Sequence, residues 1–252
     1  MNKGAVLADL ARAVAKQGVS LNLSERLCRA SVAIAGASGV SLTIAYTAPH
    51  RVTLCSTDDV SARLEDLQDV LGQGPGPDAY RSGAQVRMDI GPGTEEDERW
   101  PAFEGAARAA FPSLRIIAVP IHPNSEVLGV LTYYQSQLAP QGLEEDAMQF
   151  LADAVGAALL EHPDDLVADS GGPWSGRAEI HQATGMVIAQ LAVTADDAMA
   201  LLRAHAFAHG TTLGQVAALV VQRQLDFSAP DKETDSDVNP GDQAPPTEED
   251  PR

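Results

Sequence analysis

The stretch from 174 to 227 constrains the fold most, because it contains three short helical patterns separated by two clear breaks. Apolar residues recur within each pattern at intervals of three and four, as on one face of an amphipathic helix. A helix start signal opens each pattern: Ser175 the first, Thr194 the second, and Thr211 or Thr212 the third. The loops between the patterns are too short to contain another element. The stretch therefore predicts a small bundle of three helices.

The chain before this bundle predicts helices and strands in the order helix, two strands, helix, strand, helix, two strands, helix. Its strongest strands, 114–121 and 127–134, are apolar on both faces, which is typical of a hairpin in the middle of a covered sheet. A long amphipathic helix follows at 143–161, with an apolar stripe that serves either its own sheet or a dimer contact. This order predicts an α+β domain, in which helices flank an antiparallel-dominated sheet.

The net charge of −18 argues against broad, non-specific binding of nucleic acid. The charge is unevenly distributed, however, because the segment after Phe227 carries eight acidic and two basic residues and almost no large apolar ones. Such a segment cannot bury enough surface to offset its ordering entropy, so we expect it to be disordered. The stretch 174–227 is close to neutral, and the overall charge says little about its partners.

The sequence contains no apolar run of the roughly 20 residues that a membrane helix needs. Its first residues form an amphipathic pattern rather than a signal peptide, so we expect a cytoplasmic protein without membrane contact. Cys28 and Cys55 are expected to be buried small apolar side chains. We expect neither a metal nor another cofactor, since no spaced set of ligands is present.

Catalytic motifs are also missing from the sequence, and we therefore do not expect an enzyme. The glycine-rich stretch 71–90 invites comparison with phosphate-binding loops, but it lacks their spacing. The rim of a small-molecule pocket is the favoured interpretation of this loop.

Three segments carry a resemblance to known proteins: LGQGPGPDAYRSGAQVRMDI (71–90), RWPAF (99–103) and RIIAVPIHPNSEVLGVLTYY (115–134). They resemble the GAF domain, a cytoplasmic ligand-sensing fold, and this resemblance implies a small-molecule ligand. Gly76 stands where this branch of GAF domains usually has a cysteine, so a redox role of that cysteine does not transfer to this chain.

The bundle contains EIHQATGMVIAQ (179–190), TADDAMALLRAHAF (194–207) and TTLGQVAALVV (211–221). These segments resemble the ANTAR domain, a three-helix RNA-binding module of bacterial transcription antiterminators. The resemblance implies binding to RNA hairpins in nascent transcripts, control of antitermination, and a homodimer in which two modules act together. The predicted division of the chain is an N-terminal helix at 1–19, a GAF-like sensor at 20–162, a linker at 163–173, an ANTAR domain at 174–227 and a disordered acidic tail at 228–252.

Residues with RNA-binding potential lie beside the apolar positions of the three helices. They are Gln182, Thr184, Gly185, Arg203, His205, Thr211 and Thr212. Arg203 is favoured among them because a guanidinium pairs with phosphate and stacks on bases. Its alternative is a surface cation near Asp196 or Asp197. Gly185 would permit close approach of RNA or of a neighbouring helix.

Thr184 and Thr212 stand where related domains usually have basic residues. A hydroxyl contributes no counterion release, so RNA binding should be weaker or less dependent on salt. The alternative function is a regulator that acts through protein contacts, with a bundle that has lost RNA binding.

Overall fold

The computed structural model describes residues 3–18, 20–47, 50–95, 97–124, 126–136, 143–162 and 173–228. The elements of its N-terminal part are α1 (Lys3–Lys16), α2 (Leu23–Ala35), β1 (Gly39–Thr47), β2 (His50–Ser56), α3 (Asp59–Leu71), α4 (Pro75–Ser82), β3 (Val86–Ile90), α5 (Pro101–Ala110), β4 (Leu114–Ile121), β5 (Gly129–Gln135) and α6 (Glu145–Glu161). Those of its C-terminal part are α7 (Pro173–Leu191), α8 (Ala195–Ala208) and α9 (Leu213–Val221).

The five described strands form one sheet in the order β2-β1-β5-β4-β3, and every neighbouring pair is antiparallel. The central strands β4 and β5 are joined as a hairpin, in which Ile117 lies opposite Tyr133 and Val119 opposite Leu131. The predicted α+β class and the central position of this hairpin are confirmed.

Both faces of the sheet are covered, which explains why its central strands are apolar on both sides. Residues such as Val119 and Tyr133 point into a core formed with α1, α2 and α6. Their sequence neighbours, among them Ala118 and Tyr134, point into a second core formed with α3, α4 and α5. The alternation follows from the two-residue period of a strand.

The apolar stripe of α6 lies in the first of these cores. Its side chains are fully or almost fully buried: Met148, Leu151, Ala152, Val155 and Leu159. Of the two interpretations of this stripe, packing against the helix's own sheet is therefore the observed one. The N-terminal helix α1 packs on the same core through Val6 and Leu10.

Helix α2 also brings the two cysteines together over strand β2. Cys28 and Cys55 form a disulfide with a Cα–Cα distance of 6.9 Å. Cys28 is buried as predicted and Cys55 is partly buried, but the disulfide was not predicted. It forms because α2 and β2 pack against each other and face the same core.

The C-terminal helices form a bundle of their own, with buried residues on each helix, including Val187, Leu202 and Val220. Thr194 caps α8 and Thr212 caps α9, as the sequence predicted. The start signal at Ser175 was wrong, since α7 begins at Pro173, a residue type that the first turn of a helix accepts well.

Within the described ranges, no single helix has both the length and the apolar character to cross a bilayer. The helix pair Ala178–Leu191 and Ala195–Ala208, bent by 106°, has the length and composition of a broken membrane span, and this likeness is one of length and composition only. Almost all of the predicted linker and tail, 163–172 and 229–252, lies outside the described residues, and the domain limits stay predictions.

Candidate RNA-binding surface

The outer face of α7 carries two of the predicted RNA-binding residues. Gln182 and Gly185 are both exposed, and their spacing of three places them on the same side of the helix. A Cβ atom built on Gly185 would have no described heavy atom within 4 Å beyond the local backbone. The described structure therefore gives no packing reason for a glycine in this helix.

Thr184 lies on the inner side of the same helix. Its side chain is 6% exposed, and its hydroxyl donates a hydrogen bond of 2.8 Å to the Ile180 carbonyl one turn earlier. A threonine in a helix interior commonly satisfies its hydroxyl in this way. In this conformation the Thr184 hydroxyl does not face solvent.

Thr211 and Thr212 form the entry to α9. The Thr212 hydroxyl accepts from the Gln215 amide at 3.2 Å, and the Gln215 side chain accepts from the Thr212 amide at 3.0 Å. This reciprocal pair is a capping box, which satisfies two amides at the helix start. The Thr211 hydroxyl donates to the same Gln215 oxygen. Both hydroxyls are partly exposed but serve the bundle.

His205 lies near the end of α8 in a group of rings. Its imidazole stacks on His209 with 4.0 Å between the ring centroids and meets the edge of Phe227 at 5.6 Å. The group gives the bundle a partly exposed aromatic surface, the kind of surface on which unpaired bases stack. Among the described residues, no group of three His, Cys, Asp or Glu is arranged to hold a metal ion.

Arg203 lies on the side of α8 that faces the N-terminal domain. A Cβ atom built on Gly72, the C-cap of α3, would be 3.6 Å from Arg203 Nη1. The pKa of Arg203 is lowered, chiefly because the guanidinium is partly buried. The Asp69 carboxylate acts in the opposite direction, and the positive charge of Arg51 lowers the pKa further. The surroundings of Arg203 are thus the last turn of α3, and not Asp196 or Asp197 at the start of its own helix.

Arg223 is a candidate that the sequence interpretation missed. It is exposed just after α9 and has a positive φ of 60°, which is uncommon for a residue with a side chain. The signal was its charge in an otherwise nearly neutral stretch. Arg203 and Arg223 are the basic side chains that the structure describes between 178 and 228.

The glycine-rich loop before α4 is closed by a side chain. The Gln68 carboxamide accepts a hydrogen bond of 2.7 Å from the Gly76 amide and is itself 0% exposed. Cβ atoms at Gly74 and Gly76 would lie 2.8 and 2.9 Å from Gln68 atoms. The side chain of Gln68 thus fills the space where we expected this loop to border a pocket.

A cavity of about 350 Å³ lies elsewhere in this domain, between the sheet and the start of α6. Arg87 and Arg115 lie at its wall, together with Tyr133 and Glu145. Arg115 binds Asp89 through two nitrogens at 2.8 and 3.1 Å, and Arg87 is 3.4 Å from Glu145. The volume of this cavity lies at the lower end of the range for sites that bind small molecules.

Comparison with known families matches residues 175–221 to the ANTAR domain. Structural comparison finds similarity to the GAF-B domain of DevS from Mycobacterium smegmatis, at 17% identity over 58% of this chain and 97% of that chain, with a TM-score of 0.40. It also finds the GAF domain of a phosphoenolpyruvate-protein phosphotransferase from Coxiella burnetii, at 18% identity over 65% of this chain and 95% of that chain, with a TM-score of 0.42. Escherichia coli SdiA is similar at 14% identity over 86% of this chain and 96% of that chain, with a TM-score of 0.44.

A search of curated proteins gives no match. The ANTAR match covers the helical bundle from the first turn of α7 to the last residue of α9. The chain thus carries an ANTAR domain at residues 175–221, which follows an α+β domain with a five-stranded antiparallel sheet.

Proposed function

We propose that this chain is a cytoplasmic regulator that binds RNA hairpins in nascent transcripts through its ANTAR domain and thereby controls transcription antitermination. The observation that carries the proposal is the ANTAR match over 175–221, together with a bundle that buries the matched apolar positions. GAF and ANTAR domains are regulatory modules rather than catalytic ones, which supports a non-enzymatic role.

The RNA-binding surface in this proposal combines the exposed face of α7 with the basic and aromatic side chains of α8. Gln182 and Gly185 allow a backbone or base to approach closely, and His205 offers a stacking ring. Arg203 supplies the charge that pairs with phosphate. Thr211 and Thr212 lie at the adjacent helix entry, while Thr184 would need a local change to reach RNA.

The first experiment identifies the RNA and measures its affinity. RNA cross-linked to the intact chain in cells would be sequenced, synthesised with a fluorescent label and titrated by fluorescence anisotropy. Arg203→Ala should weaken binding tenfold or more without lowering the stability of the bundle. Arg81→Ala is the matched control, because Arg81 is an exposed arginine on α4. Unchanged affinity of the Arg203 variant would contradict the assignment of this residue.

Salt dependence separates this proposal from its alternative. One or two arginine contacts predict a slope of log K against log salt of about −1 to −2 for RNA. A slope near −5 would require cations that the described bundle does not present. The alternative, a regulator acting through protein contacts, rests on Thr184 and Thr212 serving the bundle interior and a helix cap. Absence of any RNA binding at low salt would favour that alternative.

The active form is proposed to be a homodimer that engages paired hairpins. Because the apolar stripe of α6 is buried against its own sheet, the dimer must use a different surface. Sedimentation with an RNA carrying two hairpins should give two chains per RNA, and a one-to-one complex would contradict the dimer.

The GAF-like domain is proposed to bind a small molecule in the cavity beside α6. Arg87, whose contact with Glu145 is 3.4 Å long, is the wall residue with which an anionic group of the ligand would pair. A thermal-shift screen of nucleotides and small carboxylates should find a stabilising compound whose effect disappears in Arg87→Gln. Equal stabilisation of this variant would place the ligand elsewhere.

A further inference from the structure

Helix α3 of the N-terminal domain ends against the bundle. Val70 on α3 is 8% exposed and belongs to the same apolar cluster as Leu202 and Val216 of the bundle. Gly72, which ends α3 in the left-handed conformation, lies beneath the Arg203 guanidinium. The end of α3 thus covers the face of α8 that carries the favoured RNA-binding arginine.

The charge of Arg203 is incompletely compensated in this position. The acidic group that acts on its charge, Asp69, already accepts a hydrogen bond of 2.5 Å from Arg51 Nη2. Its Nε is buried and has no hydrogen-bond partner among the described residues. The C-terminus of α3 offers a partial negative charge. A partly desolvated cation with so few partners remains costly, so a phosphate would compete well for it.

The two faces also leave space between them. A cavity of about 310 Å³ lies between α3, α5 and the end of α8, with Asp66, Leu67 and Val70 on one side and Ala206 and Phe207 on the other. Phe207 remains 59% exposed beside it. Such incomplete packing forgoes part of the dispersion energy of a close-packed contact. The packing of α8 against α3 and α5 is therefore incomplete on this side.

A line of polar contacts joins this interface to the sheet. The Ser41 hydroxyl on β1 donates to Glu65 at 2.7 Å, and Glu65 lies 3.9 Å from Arg51 on β2. Arg51 in turn binds Asp69, whose charge acts on Arg203. Glu65 is 3% exposed, so its position depends on these partners. The line connects the core of the N-terminal domain with the charge next to Arg203.

We propose that the end of α3 is an inhibitory docking surface for the ANTAR domain. It occupies the Arg203 face of α8, so α3 and RNA exclude each other, and RNA binds after the two domains separate. This inference rests on the proposed RNA-binding function and names its regulation. A closed state populated ten to one over the open state would lower the apparent RNA affinity about elevenfold.

The test places a carboxylate at the contact without changing any residue of the bundle. Val70→Asp buries an unpaired charge in the closed state and exposes it in the open one. It should bind the RNA recovered by cross-linking about tenfold more tightly than the unaltered chain. A negative charge by itself repels RNA, so tighter binding would come from release. Ala102→Asp adds the same charge at an exposed site on α5 and should leave the affinity unchanged.

The second readout uses no RNA. Small-angle scattering of Val70→Asp should show a larger radius of gyration than that of the unaltered chain, whereas Ala102→Asp should match it. Val70→Ala, which removes contact without adding charge, should move both readouts in the same direction by a smaller amount. It replaces Val70→Asp if that variant does not fold.

The outcomes separate the two proposals. Equal RNA affinity of the Val70 variants and the unaltered chain, with weaker binding by Arg203→Ala, would overturn the inhibitory surface and leave the RNA-binding function intact. A larger radius of gyration of Val70→Asp, together with no RNA binding by any variant, would refute the proposed RNA-binding function. The proposed inhibition of RNA binding would then be refuted with it. Identical scattering of all chains would overturn domain separation whatever the RNA result.

Discussion

Replacing Gly185 by alanine separates the stability of the ANTAR bundle from its proposed contact with RNA. Glycine in a helix interior costs about 0.5–1 kcal/mol relative to alanine, because its backbone loses more freedom on folding. Gly185 lies well inside α7, and a Cβ there would meet open space. No steric term offsets the gain, so the free energy of unfolding should rise by about 0.5–1 kcal/mol.

The same methyl group would stand on the exposed face shared with Gln182, where RNA is proposed to approach. We expect Gly185→Ala to raise the melting temperature by roughly 1–4 °C if the chain unfolds as one unit. We also expect it to weaken RNA binding about tenfold, which corresponds to about 1.4 kcal/mol. The assays are thermal unfolding by circular dichroism and fluorescence anisotropy with the cross-linked RNA.

Gly105→Ala is the matched control, since Gly105 also lies in a helix, α5, with open space where its Cβ would stand. It should give the same stabilisation and no change in RNA affinity. Destabilisation by Gly185→Ala would refute the assignment of open space. Stabilisation with unchanged RNA affinity would show that RNA does not approach this face.

Three further predictions concern the packing and titration of the two domains. Gly156→Ala should lower the free energy of unfolding, measured in urea, by up to about 2 kcal/mol. Overlap of the new methyl group with Ile121 costs about 1–3 kcal/mol, and the better helix propensity of alanine offsets about 1 kcal/mol of this cost. A stabilised variant would contradict the close approach of α6 to β4. Leu202→Ala should cost about 2–5 kcal/mol, since Leu202 is 0% exposed, and a loss below 1 kcal/mol would mean that the bundle is loosely packed. Burial, and next the neighbouring Asp69, raises the pKa of Asp66 from 3.8 to about 6. The folded state therefore binds a proton at Asp66 more tightly than the unfolded state does. The free energy of unfolding should fall as pH rises from about 4 to about 6. The difference in urea unfolding between the unaltered chain and Asp66→Asn should follow that fall, and a difference independent of pH would contradict the shifted pKa.

The sequence predicted the layout of the sheet well, because the relevant signals are local. Apart from Arg115 and Thr132, strands 114–121 and 127–134 are apolar on both faces, which is typical of a hairpin covered on both sides. Thr194 and Thr212 were read correctly as helix caps because a cap depends on neighbours three residues away.

The environments of Thr184 and Arg203 were not predictable by the same means. A threonine whose hydroxyl bonds the carbonyl one turn earlier is identical in sequence to one that faces solvent. The position of Arg203 depends on how two domains dock, which no local pattern encodes. Val70 was the available clue: it lies outside the apolar stripe of α3 that includes Leu64 and Leu67, and it turns toward the bundle.

The contact between Gln68 and Gly76 has an evolutionary consequence. Gln68 occupies the volume that a side chain at position 76 would need, and its carboxamide holds the loop amide in place of such a side chain. A cysteine at position 76, the residue that the resemblance to GAF domains leads one to expect there, therefore requires Gln68 to move. We expect the two positions to change together among descendants of a common ancestor, with glycine accompanying glutamine and a larger residue accompanying a shorter partner on α3.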